Sequence, residues 1–121
     1  MKTCLVVDDS NVIRKVARRI LEGMQFEITE AADGTEAIGM CQQQLPDVVL
    51  LDCSMPNMDG MQFLRTLRKM PGGERPKVMF CTTEKDPAHI ARALHAGANE
   101  YIMKPFDKDI MYAKLRQVGV V

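Results

Sequence analysis

The sequence contains no tryptophan, no excess of charge of either sign and no apolar run long enough to cross a membrane. Sixteen basic residues balance sixteen acidic ones, so the chain lacks the basic surface that nonspecific nucleic-acid binding needs. The first residues lead directly into a strand pattern instead of a signal peptide. We therefore expect a cytoplasmic protein with no membrane insertion and no direct nucleic-acid partner.

The four cysteines do not form a metal-binding pattern. No Cys-x-x-Cys pair occurs, and no cysteine and histidine residues have the spacing of a zinc site. Two cysteines lie in predicted strands, one lies in a predicted helix and one directly follows Asp52. Small buried thiols in a reducing compartment are the simplest interpretation.

Short apolar runs alternate with helical patterns along the whole chain. The predicted strands cover residues 4–7, 26–31, 48–51, 77–81 and 100–103. The predicted helices begin near Ser10, Gly34, Asp59, Pro87 and Asp107, at residues that favour helix starts, and proline or glycine follows several of them. This alternation predicts an α/β fold, a doubly wound five-stranded parallel sheet in a single domain over residues 1–121. The second strand, which carries Glu27 and Glu30, is expected at an edge of the sheet.

Polar residues follow the predicted strands at the point where each strand ends. Asp8 and Asp9 follow the first strand, Asp52 the third, Thr82 the fourth and Lys104 the fifth. The carboxyl ends of parallel strands form the binding crevice of such sheets, so these side chains should converge. Three carboxylates repel each other unless a divalent cation lies among them, and Mg²⁺ prefers oxygen ligands of this kind. The pattern predicts a magnesium and phosphoryl site, with Mn²⁺ as a possible substitute.

In combination these motifs resemble the response-regulator receiver domain of two-component signalling. The resemblance rests on Val7-Asp8-Asp9-Ser10, on the segment from Asp52 to Gly60, on Thr82 and on Lys104-Pro105-Phe106, and it extends over essentially all residues. It implies the flavodoxin-like fold with strand order 2-1-3-4-5 and a cis peptide between Lys104 and Pro105. The resemblance includes stand-alone receivers of the chemotaxis type. Because the chain ends shortly after the fifth helix, we expect a stand-alone receiver of this or another single-domain type, with a receiver excised from a longer protein as the alternative.

The resemblance assigns a role to each site residue. Asp52 is the phosphoacceptor, and Asp8, Asp9, Asp52 and the backbone carbonyl of Ser54 hold Mg²⁺, with Asp8 acting through water. Lys104 and Thr82 contact the phosphoryl group. Ser54, Thr83 and Glu84 tune dephosphorylation.

The resemblance also implies an output surface. Thr82 and Tyr101 form the switch, and the partner face lies on the fourth helix, fifth strand and fifth helix. Its predicted members are Lys85, Ile90, Leu94, Tyr101, Met103 and Lys114.

The expected partners are a sensor histidine kinase or histidine phosphotransfer protein and a downstream protein target. The chain is expected to promote only its own phosphoryl transfer and autodephosphorylation, and so not to be an enzyme in the ordinary sense. Two alternatives stay open, a phosphate sink or shuttle in a phosphorelay and a haloacid-dehalogenase-type phosphatase. The phosphatase is less favoured, because it requires a second aspartate two residues after the nucleophile, where this chain has Ser54.

Overall fold

A computed structural model describes residues 1–53, 58–83 and 87–121. Within these ranges, five parallel strands form a sheet in the order β2-β1-β3-β4-β5. The strands are β1 (Thr3–Val7), β2 (Glu27–Ala31), β3 (Val48–Asp52), β4 (Lys77–Thr82) and β5 (Glu100–Met103). The helices are α1 (Asn11–Gly23), α2 (Gly34–Gln43), α3 (Gly60–Lys69), α4 (Pro87–Ala96) and α5 (Lys108–Gln117). The predicted fold class and strand order are confirmed, and β2 lies at an edge as expected.

The two faces of the sheet carry separate hydrophobic cores, because alternate residues of a strand point to opposite faces. One core joins Leu5, Leu51 and Phe80 to side chains of α2, α3 and α4. The other joins Val6 and Leu50 to side chains of α1 and α5. The central strands are therefore buried on both faces, which explains their nearly continuous apolar sequence. No helix in the described ranges is long and apolar enough to cross a membrane.

Two site residues belong to strands instead of following them as predicted. Asp52 is the last residue of β3, where it is in register with Cys81, and Thr82 is the last residue of β4, where it is in register with Met103. Polar residues can extend a strand in this way because the ladder is formed by backbone groups. Both side chains are consequently held by the rigid sheet.

The helix ends mostly follow the sequence signals. Ser10, Asp59 and Asp107 cap α1, α3 and α5, since each side chain accepts a hydrogen bond from a backbone N–H three residues later. After α4 the chain reverses at Gly97, whose φ of 123° lies in the region that glycine tolerates. After α1, which ends at Gly23, the residue with positive φ is Gln25, at 68°.

Arg68 connects the end of α3 to the start of β5. Its guanidinium donates hydrogen bonds to the carbonyl oxygens of Gly73, Pro76 and Gly97 and to the side-chain oxygen of Asn99. Burial lowers the pKa of Arg68, and Glu74 opposes this effect. Through these bonds Arg68 fixes the turn that leads into β5, the strand before Lys104.

Candidate functional site

The carboxyl edge of the sheet brings together the three predicted carboxylates. Asp8 and Asp9 follow β1, and Asp52 ends the adjacent strand β3. One carboxylate oxygen from each of the three residues lies within 4.8 Å of the others. Asp8 and Asp52 are buried, whereas Asp9 is exposed. Parallel pairing of β1 with β3 therefore produces the predicted acidic cluster.

Lys104 bridges the two buried carboxylates from the end of β5. Its Nζ lies 2.9 Å from Asp8 Oδ2 and 3.0 Å from Asp52 Oδ1. Burial by itself would lower the pKa of Lys104, but the hydrogen bonds to Asp8 and Asp52 outweigh it and raise the pKa above its ordinary value. These contacts therefore favour the ammonium form of Lys104. The Lys104–Pro105 peptide is cis, as predicted.

The contacts of Asp8 differ from those of Asp9. Both oxygens of Asp8 accept hydrogen bonds, Oδ1 from the Ser10 N–H at 2.9 Å and Oδ2 from Lys104. In the ranges described, the Asp9 side chain makes no hydrogen bond or ion pair, and it lies at the surface. Asp9 is thus the more available ligand, which fits a direct contact from Asp9 and a water-mediated one from Asp8. The donor set consists of hard oxygens and suits Mg²⁺ or Mn²⁺.

Thr82 lies on β4, the neighbour of β3, one residue beyond the register of Asp52 and Cys81. It is completely buried, and its Oγ1 accepts a hydrogen bond from Cys53 Sγ at 3.6 Å. The Cys53 N–H in turn donates to the Cys81 carbonyl oxygen, which extends the β3–β4 pairing by one bond. Thr82 is therefore positioned at the same edge as Asp52. Thr83, the predicted tuning residue, follows it and is exposed.

Gly60 allows α3 to begin close to the end of β3, where Asp52 lies. A Cβ at this position would lie 2.8 Å from the Asp52 carbonyl oxygen and 3.0 Å from the ring of Phe80. Both neighbours are fixed by the sheet, so a larger residue would force α3 away from β3. The absence of a side chain at Gly60 therefore lets the start of α3 pack directly against Asp52 at the carboxyl edge of the sheet.

Arg14 is a residue of this site that sequence reasoning missed. Its Nη1 donates to the Asp8 carbonyl oxygen at 2.6 Å, and its Nε pairs with Glu30 at 3.1 Å. These bonds fix the backbone from which Asp8 and Asp9 project. The available signal was its position on α1, because Arg14 shares a helical stripe with the buried residues Ala17 and Leu21.

The predicted partner face is partly exposed. Tyr101 is half-buried, and the Lys114 ammonium lies 4.0 Å above its ring and 3.4 Å from Glu100. Leu94 on α4 is 40% exposed. Ile90 and Met103 are half-buried. Of the other predicted residues, Ser54, Glu84 and Lys85 lie outside the described residues.

Comparison with known proteins identifies a family. The family described as "Response regulator receiver domain" matches residues 4–116. The chain is 36% identical over 114 residues to a probable transcriptional regulator, ycf27, of Guillardia theta, covering 94% of this chain and 44% of that protein. It is 34% identical over 112 residues to the DNA-binding response regulator MtrA of Mycobacterium leprae, covering 93% of this chain and 48% of that protein.

The solved structures agree with this result. The chemotaxis protein CheY4 of Vibrio cholerae superimposes with a TM-score of 0.92 at 31% identity, covering 98% of both chains. This chain thus spans about half the length of the curated relatives and 98% of the solved chemotaxis chain.

Proposed function

The chain belongs to the response-regulator receiver domain family, and we propose that it is a signalling switch controlled by phosphorylation of Asp52. A carboxylate oxygen of Asp52 attacks the phosphorus of a phosphohistidine on a partner protein. The new O–P bond forms as the P–N bond breaks, and the electron pair of that bond leaves with the imidazole nitrogen. The product is an acyl phosphate on Asp52.

The observation that carries this proposal is the contact of Lys104 with both Asp8 and Asp52. A cation fixed 3.0 Å from Asp52 Oδ1 can contact a phosphoryl oxygen bound to that carboxylate. Thr82 supplies a hydroxyl at the same edge. Thr82 belongs to β4, and the Lys104 N–H donates to the Thr82 carbonyl oxygen, so both residues are positioned in advance and little reorganisation is required when charge accumulates on the phosphoryl group.

The acidic cluster suits a divalent cation, and we propose that Asp9, Asp52 and the backbone carbonyl of Ser54 hold Mg²⁺ while Asp8 acts through water. When bound, Mg²⁺ neutralises negative charge on the phosphoryl oxygens. Asp8 also accepts hydrogen bonds from Lys104 and Ser10, so it orients the cation side chain that faces Asp52.

Labelling with a small phosphodonor tests the phosphoacceptor. Radiolabelled acetyl phosphate should label the wild type in a Mg²⁺-dependent way, and the label should be lost in Asp52→Asn, which keeps the shape of the side chain. Asp47→Asn is a matched control, because Asp47 is exposed and bonds Thr3 instead of the acidic cluster. Label that persists at the wild-type level in Asp52→Asn would contradict the assignment.

The proposed output is a population shift at the α4–β5–α5 face. Thr82 moves toward the phosphoryl group, and Tyr101, on the next strand, responds by changing rotamer. The face consists of the residues predicted from the resemblance, Lys85, Ile90, Leu94, Tyr101, Met103 and Lys114. Ser54, Thr83 and Glu84 are proposed to set the rate of autodephosphorylation.

We propose a histidine kinase or histidine phosphotransfer protein as the donor and a protein target as the receiver of the signal, in the cytoplasm. The four free cysteines suit a reducing compartment. We propose a single receiver domain over residues 1–121, in a regulator of the chemotaxis type or of another single-domain type, and the similarity to CheY4 supports this proposal. The family match over residues 4–116 favours a receiver over a haloacid-dehalogenase-type phosphatase.

The second candidate function, a phosphate sink or shuttle, keeps the same site and differs only in output. A pull-down with and without beryllofluoride, a stable phosphoryl mimic, separates the two. A switch captures a protein target in the beryllofluoride-bound form that the free form does not capture. A sink exchanges label with a phosphotransfer protein and captures the same proteins in both forms.

A further inference from the structure

A cleft of about 800 Å³ lies between α3 and α4, beside the site described above. Its volume is within the range that holds a small organic ligand. Arg65 of α3 and Arg92 of α4 line it from opposite sides. Both arginines are exposed, and among the described residues neither makes an ion pair. Within the described part of the chain no carboxylate pairs with these two guanidinium groups, so they give this side of the cleft a positive rim.

Asp59 is the one carboxylate among the described residues that line the cleft, and its side chain caps α3. Its Oδ1 accepts a hydrogen bond from the Gln62 N–H at 2.9 Å as the cap of α3. The floor is apolar and includes Phe80, which is completely buried, and Met61, which is half-buried. A positive rim above an apolar floor complements a ligand with an anionic group and a flat apolar body, because guanidinium groups both pair with anions and stack on aromatic rings.

Cys53 connects the cleft to the phosphoacceptor. It lines the cleft, follows Asp52 directly and donates the hydrogen bond to Thr82 Oγ1. A movement of Thr82 toward a phosphoryl group would therefore change the position of a residue in the wall of the cleft.

We propose that this cleft binds a small aromatic anion and that its occupancy is coupled to phosphorylation of Asp52 through Cys53. The coupling rests on the proposed function, whereas the binding does not. Linkage requires the effect to be reciprocal, so a ligand bound in the cleft would also change the stability of the acyl phosphate. Cys53 is a positioning residue in this arrangement.

Binding is tested with anilinonaphthalene sulfonate, a fluorescent aromatic anion, and with phenylnaphthylamine, which has the same rings without the sulfonate. The wild type should bind the anion, and the double variant Arg65→Gln/Arg92→Gln should bind it at least about tenfold more weakly. Arg19→Gln, an exposed arginine of α1, is the matched control and should bind as the wild type does. Amide NMR shifts caused by the anion should cluster at Met61, Phe80 and Arg92.

Equal affinity for the two probes, equal binding by the double variant, or shifts centred elsewhere would overturn the assignment of the cleft to an aromatic anion. Equal binding of the neutral probe would indicate instead an apolar groove suited to a protein segment, since binding in such a groove does not require the sulfonate.

Coupling is tested by repeating the titration with Mg²⁺ and beryllofluoride. The affinity for the anion should change by about fivefold or more in the wild type. It should stay constant in Asp52→Asn and in Cys53→Ala. Constant affinity in the wild type, or an unreduced change in Cys53→Ala, contradicts the coupling. Binding of the anion is measured without phosphorylation and also in Asp52→Asn. If Asp52 were not the phosphoacceptor, the binding result would therefore still stand. An error in the proposed function can thus be distinguished from an error in the assignment of the cleft.

Discussion

Two clusters of charged side chains, one at the carboxyl edge of the sheet and one on the α1–β2 surface, are balanced differently. At the carboxyl edge, the three carboxylates of Asp8, Asp9 and Asp52 lie together, and Lys104 is the one cation among the described residues that pairs with any of them, namely with Asp8 and Asp52. On the α1–β2 surface, Arg14 and Arg18 pair with Glu30, and Arg18 also pairs with Glu22. The first cluster keeps an excess of negative charge, whereas the second is neutral.

Burial makes this difference functional. The Asp8 and Asp52 side chains are 4% and 7% exposed, so their repulsion is poorly screened, and a bound divalent cation would relieve it. Glu30 is 25% exposed and already neutralised, so a further cation would gain little. Arg14 joins the two clusters, since it pairs with Glu30 and also donates to the Asp8 carbonyl oxygen. The balanced cluster therefore supports the backbone of the unbalanced one.

Lys104→Met should have the largest effect on stability. It removes the one ammonium that contacts Asp8 and Asp52 and leaves two buried carboxylates facing each other. We expect a loss of about 2–4 kcal/mol in the free energy of unfolding in metal-free buffer, near the lower end of the cost of breaking a buried ion pair. Mg²⁺ should restore part of this loss, because it neutralises the same carboxylates. Urea denaturation with and without Mg²⁺ measures both quantities.

Lys15→Met is the matched control for this variant. Lys15 is exposed on α1 and makes no ion pair in the described ranges, so its loss should change the free energy of unfolding by less than about 0.5 kcal/mol. The proposed difference between the two clusters would be contradicted if Lys104→Met lowered the free energy of unfolding no more than the control does. It would also be contradicted if Mg²⁺ restored none of the lost free energy.

Asp9→Asn should weaken Mg²⁺ binding at least about tenfold, or about 1.4 kcal/mol, and more than Asp8→Asn does. Asp9 is exposed and lacks a partner among the described residues, whereas both oxygens of Asp8 already accept hydrogen bonds. Asp9→Asn should also raise the melting temperature in metal-free buffer, because it removes one of three carboxylates that repel each other. Asp8→Asn should raise the melting temperature less, because it also loses the ion pair with Lys104. Calorimetric Mg²⁺ titration decides the first point and thermal unfolding the second.

Asp109→Asn, in the first turn of α5, serves as the control and should leave Mg²⁺ affinity unchanged. A weaker Mg²⁺ affinity in Asp8→Asn than in Asp9→Asn would reverse the assignment of direct and water-mediated ligands.

The unbalanced cluster could be predicted from the sequence, and the balanced one could not. Asp8, Asp52 and Lys104 each stand where a buried strand ends, and parallel topology brings all such positions to one edge. The partners of Arg14 and Arg18 depend instead on the angle at which α1 packs on β2, which no periodicity specifies. For the same reason the bond of Arg68 to Gly97 and the contact of Cys53 with Thr82 were not predicted, because each depends on side-chain conformation between residues that are 29 positions apart.

Thr82→Ala should still accept phosphate at Asp52 and transmit it poorly. Removing Oγ1 deletes the hydroxyl that a phosphoryl group would attract, and we expect the coupling to the α4–β5–α5 face to fall by about 1 kcal/mol. Amide NMR shifts on adding beryllofluoride should include Leu94 and Tyr101 in the wild type and shrink in this variant. Thr29→Ala, on the edge strand β2, is the control and should keep the full shifts. Shifts that are centred on α1 and α2 instead would place the output surface elsewhere.

Glu30→Gln should have the smallest effect, because it disturbs a neutral and partly exposed cluster. The hydrogen bond from Arg18, aided by one from Arg14, lowers the pKa of Glu30 below its ordinary value, although partial burial opposes the shift. A lowered pKa in the folded protein gives stability that is complete above the unfolded value, about 4.3, and is lost as the pH falls through the folded value. The free energy of unfolding of the wild type should therefore exceed that of Glu30→Gln by less than about 1 kcal/mol near neutral pH, and this difference should shrink in acid and in high salt.

Glu27→Gln, a substitution at an exposed position on the same strand, is the control and should show no such pH dependence. Urea unfolding of the three proteins across the acid range checks this, and a difference that grows as the pH falls would contradict the stated sign of the pKa shift.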